Sequence, residues 1–268
     1  MKLRYRDLLG FSPIKFTMGQ IRKPTLREID NDVGFSDFNT YTSLLKLTPK
    51  KYYEDILGES ENPSLKESQI SQEKETTMWN IILADENIRS VYLKILNFYF
   101  LEYVVFDDGI KCFVTLKKEY VEGEMSEDDI VGIINENIFT DVLSVIQQLC
   151  YISQEDEEEE QELKFKNKKA KKRYEKIQNA KKENLKKENL KNALNYSVEN
   201  IISVVSNNHP SLNPITIYDL TIFQLYDSFN RIRDNKFQNM RTRSISIWGD
   251  QDNKFDYNEW FKNIYDNQ

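Results

Sequence analysis

The chain has 268 residues, 39% of them hydrophobic, and 37 Lys/Arg against 44 Asp/Glu give a formal net charge of −7. The length allows one large or two small cores, and the acidic balance argues against a surface devoted to nucleic acid. Two cysteines, Cys112 and Cys150, lack C-x-x-C spacing and do not suggest a disulfide framework or a cysteine-based zinc site; a reducing, intracellular setting is the expectation.

In chain order, the first sixteen residues are mixed and contain Pro13, with no apolar core or cleavage site of a secretory signal. Residues 15–21 are compatible with a strand interrupted by Gly19. Thr25 followed by Glu28 has the spacing of a capping box and predicts a helix start after Pro24. A further helix begins at Ser36, with Phe38, Tyr41, Leu44, Leu45 and Leu47 on its apolar side. The polar stretch 58–75 reads as a loop. Residues 78–96 are helical by periodicity. Residues 98–106 and 110–116 are rich in aromatic and β-branched side chains around an Asp-Gly turn, which predicts a hairpin over about 98–116. The aromatic-aliphatic block over 97–106 is broken by Glu102 and is too short to span a bilayer. A capping box at Ser126 and Asp129 predicts a helix continuing through 130–134, followed by a second stripe of Phe139, Val142, Leu143, Ile146 and Leu149.

The middle changes character. Residues 155–162 hold seven acids in eight positions, and 164–191 hold 13 Lys/Arg against 3 Glu, a net of +10. Blocks of like charge are solvated tethers or exposed helices. Ser197 is positioned to cap a short apolar helix over 198–205. Residues 215–249 then read as one long helix. Thr216 and Asp219 form its start signal, Ile222, Phe223, Leu225, Tyr226, Phe229 and Ile232 its stripe, and Gly249 its stop. Beyond Ile232 the stripe thins to Phe237, Met240, Ile245, Ile247 and Trp248. Arg233, Arg241 and Arg243 lie there, where cations suit a helix C-terminus. Asp256 and Glu259 open a last short helix with Tyr257, Trp260, Phe261 and Ile264.

No catalytic constellation emerges. His209 is the single histidine, and it sits in a Pro-flanked polar turn without a nucleophile signature. A histidine-based metal site lacks companions, and the acidic run lacks calcium-loop spacing. The glycines form neither dinucleotide nor P-loop motifs. The expectation is no enzyme activity, no cofactor and no metal. The basic segment 164–191, with Phe165 and Tyr174, is the one nucleic-acid alternative, and the adjoining acids weigh against it.

Two stretches carry a resemblance. GQIRKPTLREI over 19–29, with Gly34, Phe35 and 38–45, resembles the I-x-x-P-T-x-x-E-I opening of tail-assembly chaperone-like proteins in phages of Gram-positive bacteria. HPSLN over 209–213, followed by IYDLTIFQLYDSF over 217–229, resembles a second stretch of the same proteins. The resemblance covers about a quarter of the chain, and the charged middle departs from it. It implies a protein that keeps the tape measure protein soluble while tail tube subunits polymerise around it. Such a protein acts in the host cytoplasm, is absent from the mature virion, and has no membrane association. A structural tail or neck protein is the alternative.

The expected fold is mainly α with a small β-hairpin, in two helical parts joined by a charged linker or exposed helix: 1–152, 153–191 and 192–268. The expected partner-binding residues are Arg233, Arg241, Arg243, Trp248, Trp260 and Phe261. The expected partners are the tape measure protein, the tail tube protein and, by self-association, the chain itself.

Overall fold

The computed structural model describes residues 1–57, 76–117, 127–152, 196–250, 255, 256, 258, 261 and 265. The charged segment 153–191, the polar stretch 58–75 and Trp260 lie outside the described residues.

The fold is mainly α with two small antiparallel sheets. Helix α1 (Tyr5–Leu9) leads into a hairpin of β1 (Ile14–Phe16) and β2 (Gly19–Ile21), whose register pairs Phe16 with Gly19. Helix α2 (Leu26–Asp32) starts at the capping box read from Thr25 and Glu28. Helices α3 (Phe35–Leu45) and α4 (Pro49–Leu57) follow. Helix α5 (Met78–Ala84) is capped by Thr77, and α6 (Glu86–Tyr99) by Asp85, whose carboxylate accepts from the Asn87 and Ile88 amides. Strands β3 (Tyr103–Asp107), β4 (Cys112–Leu116) and β5 (Ile130–Ile134) form a three-stranded sheet in that order. Helix α7 (Glu136–Leu149) is capped by Asn135 and α8 (Val198–Asn208) by Ser197. A 3-10 turn (Thr216–Asp219) precedes α9 (Ile222–Trp248).

By internal contacts the chain divides into two compact units. One comprises Met1–Ile152, Tyr218–Gln224 and Phe261–Gln268, and the other Ser153–Ile217 and Leu225–Trp260. The core of the first unit is aromatic. The Phe139 ring lies 5.2 Å from Trp79, 5.7 Å from Tyr92 and 5.9 Å from Phe113, in tilted, edge-on and stacked arrangements respectively. All four side chains are buried. The Tyr92 hydroxyl donates to the Leu44 carbonyl at 2.8 Å, so its polar tip is satisfied, and burial raises its pKa. The buried Tyr99 hydroxyl lies 2.9 Å from the Cys150 sulfur. Burial pushes that thiol up to about 12, which leaves it protonated and unreactive at neutral pH.

Four local readings change. The single strand read over 15–21 is the β1–β2 hairpin, turned at residues 17 and 18. The hairpin starts at Tyr103, not at 98, because Phe98 and Tyr99 complete α6 and are buried there. Aromatic side chains fit a buried helix face as well as a strand, and tertiary packing decides. Phe100 caps the helix, and Asn97 in its last turn ties it to β3. Its amide accepts from Val104 N–H at 2.9 Å and donates to the Val104 carbonyl at 2.8 Å, closing that part of the β3 backbone.

Residues 130–134 are not a helix but β5, in antiparallel register with β4 through Phe113–Ile134 and Val114–Ile133. A short apolar run carries no decisive period, and its β-branched content favours the strand. Gly132 has a specific role here. A Cβ at this position would lie 2.6 Å from both Cα and Cβ of Met18, while the Thr115 hydroxyl donates to the Met18 carbonyl at 2.6 Å. Gly132→Ala is therefore expected to cost about 1–3 kcal/mol through overpacking against main chain. A urea midpoint equal to that of the parent chain would contradict this contact.

The long helix read over 215–249 is divided. The 3-10 turn ends at Asp219, and α9 begins at Ile222 with Thr221 and Gln224 forming its start. Its end at Gly249 is as read. Gly249 adopts φ +77°, and its amide donates to the Ile245 carbonyl at 2.7 Å.

Candidate interaction surface

Two capping motifs meet inside the first unit. Thr25 and Glu28 cap each other reciprocally. Thr221 and Gln224 do the same, with the Thr221 amide donating to the Gln224 side chain at 3.0 Å and the Gln224 amide donating to the Thr221 hydroxyl at 3.3 Å. The two threonines form an isolated antiparallel bridge, and the Leu26 amide donates to the Leu220 carbonyl at 2.8 Å. Gln224 also donates to the Leu9 carbonyl at 2.6 Å. Phe223 packs against Tyr5, Tyr151 and Tyr265, with centroids 6.1, 5.4 and 5.4 Å away. Arg27 and Asp219 pair at 2.9 Å across the joint, but both are largely exposed, so that pair contributes little.

The two stretches singled out in the sequence, 19–29 and 217–229, thus touch through residues 25–27 and 219–221. Their chemistry is structural. Nearby, the buried Lys23 ammonium donates to the carbonyls of Asp7 and Gly10 at the end of α1. Burial lowers its pKa. The T-x-x-Q signal at Thr221 was present in the sequence, and it marks the start of α9 better than Thr216 does.

The other part of α9, from Leu225 onward, belongs to the second unit. Leu225 is fully buried, whereas Phe237, Met240, Ile247 and Trp248 are 58%, 60%, 71% and 74% exposed. At about 100° per residue these four fall within about 100° of the helix circumference. They form one apolar stripe, flanked by half-buried Ile245, on a helix end whose other residues are polar. No acidic residue occurs between Asn235 and Gly249.

Among the residues expected to bind a partner, four lie on this helix. Arg233 is exposed and pairs with its neighbour Asp234 at 3.3 Å. Arg241 places its guanidinium 5.7 Å from the Phe255 ring, within cation–π range. Beside it Gln238 donates to the Asp256 carbonyl at 3.0 Å. Arg243 is exposed, and Trp248 ends the stripe. Phe261 is 55% exposed and belongs to the first unit. Phe237, Met240 and Ile247 are not among the residues expected to bind a partner, although they share the helical face of Trp248; their spacing is visible in the sequence, but their exposure is not.

Other polar features are local. The carboxylate of Asp227 is buried, with one oxygen accepting from Arg231 at 3.2 Å and the other without a hydrogen-bond partner. The His209 ring faces the Ser211 amide and hydroxyl at 3.3 Å in the turn after α8. Among the described residues no group of three or more His, Cys, Asp or Glu is placed to hold a metal. Among the same residues, no helix is long and apolar enough to cross a membrane.

No curated protein and no solved structure matches the chain. Residues 185–265 match the family model described as the YomV second domain. The match includes all of α8 and α9, and with them the exposed stripe. That family is phage-derived, and the similarity is consistent with a phage protein.

Proposed function

We propose that the protein is a phage tail-assembly chaperone that binds the tape measure protein during tail morphogenesis. The observation that carries this reading is the exposed stripe of Phe237, Met240, Ile247 and Trp248 beside Arg241 and Arg243. A protein that holds a long, aggregation-prone client needs apolar side chains available for contact, with charge setting register and encounter rate. The phage-derived match over 185–265 supports the setting. The resemblance of 19–29, 209–213 and 217–229 to tail-assembly proteins supports the role. On this reading the protein works in the host cytoplasm, contacts the tape measure protein and, through it, the growing tail tube, and is absent from the mature virion. It needs no cofactor and carries no catalytic centre.

The double variant Arg241→Glu with Arg243→Glu tests the surface. Helical circular dichroism should be unchanged, because both side chains lie near the exposed end of α9. Pull-down of the tape measure protein should weaken about ten-fold or more, a typical consequence of reversing charges that face a partner. Undiminished pull-down by the folded variant would assign these arginines a purely local role.

A further inference from the structure

We infer that the exposed end of α9 is one strand of a short heteromeric coiled coil, and that its occupant is an amphipathic helix carrying acidic residues beside its apolar seam. This rests on the reading of the stripe as a client surface and specifies the chemistry of what it takes. The spacing carries the argument. Assigning Phe237 to heptad position a places Met240 at d, Ser244 at the next a and Ile247 at the next d. Phe237, Met240 and Ile247 are exposed, so among the described residues the seam is formed but not buried.

The flanking e and g positions then hold Lys236, Arg241, Arg243 and Trp248. Three of the four are basic and none is acidic. In coiled coils these positions set partner choice and orientation. A parallel second copy would place Lys236 against Arg241, and an antiparallel copy would again set basic positions against basic ones. Like charges so placed disfavour self-pairing. A helix with Glu or Asp at e and g meets the same positions with complementary charge. Small Ser244 leaves room for a large apolar residue from the partner at that layer. From Phe237 to Trp248 the seam is about 16 Å long at 1.5 Å per residue, enough for about three turns of the occupant.

The test uses the full chain and two labelled 21-residue helical peptides. Both carry Leu and Ile at a and d; one has Glu at e and g, the other Lys. Fluorescence anisotropy should show the Glu peptide binding about ten-fold or more tightly than the Lys peptide, with the gap narrowing at high salt. Met240→Asp with Ile247→Asp should abolish binding while helicity is retained, and Arg241→Glu with Arg243→Glu should reverse the preference. Equal affinity for the two peptides, or binding of neither, overturns the inference. So does a dimer in sedimentation equilibrium that Met240→Asp with Ile247→Asp dissolves, since that gives the face to a second copy. Failure of the two readings is distinguishable. Glu-peptide preference without capture of the tape measure protein leaves this inference standing and removes the chaperone reading. Undiminished capture by the Met240→Asp, Ile247→Asp variant does the reverse.

Discussion

Phe139→Ala should lower the unfolding free energy by about 3–5 kcal/mol, the range for deleting a fully buried aromatic ring and leaving a cavity. The ring touches Trp79, Tyr92 and Phe113 within 5.9 Å, and its residue is 2% exposed. These partners come from α5, α6 and β4, so the loss is felt by three elements at once. Against a total stability of about 5–15 kcal/mol for an ordinary domain, the variant is expected to be severely destabilised. Urea unfolding followed by far-UV circular dichroism reads the effect. A loss under about 1 kcal/mol would show that neighbouring side chains collapse into the space.

Phe223→Ala should have an effect of similar size, about 3–5 kcal/mol, for a different structural reason. Phe223 is 1% exposed and lies among Tyr5, Tyr151 and Tyr265. It anchors the start of α9 beside the bridge between Thr25 and Thr221. Phe229 offers an internal comparison. The sequence stripe groups it with Phe223 as buried, yet it is only partly buried and meets Tyr196 edge-on at 6.1 Å. Phe229→Ala is therefore expected to cost clearly less than Phe223→Ala in the same urea titration. Equal losses would contradict the burial difference.

Much of the fold was legible in the sequence where the signal was local. Thr25 with Glu28 and the Gly249 stop follow from backbone chemistry that a few neighbouring residues determine. The Asp-Gly turn placed the β3–β4 hairpin correctly at its tip, where the Asp107 carboxylate accepts from the Gly109 amide at 2.7 Å. Signals failed where distant contacts decide. Residues 130–134 become a strand because β4 supplies an edge, and Phe98 and Tyr99 stay helical because the core takes them. The bridge from Thr25 to Thr221 joins residues almost two hundred positions apart, and no periodicity announces it. For the interaction surface, helical spacing identified the stripe, but burial separates its parts. Ile222, Phe223 and Leu225 are core, whereas Phe237, Met240, Ile247 and Trp248 face solvent. Side-chain type alone does not distinguish them.

The chaperone reading is tested most directly by expressing the tape measure protein of the same phage with and without this protein. Its soluble fraction and its co-elution with the chain on size exclusion are then measured. The account predicts that the tape measure protein is largely insoluble alone and soluble in a stable complex with the full chain. The assignment of the exposed stripe as the contact surface separately predicts that the complex is lost with Met240→Asp and Ile247→Asp. A tape measure protein whose solubility does not change on co-expression, with no co-eluting complex, would contradict the account.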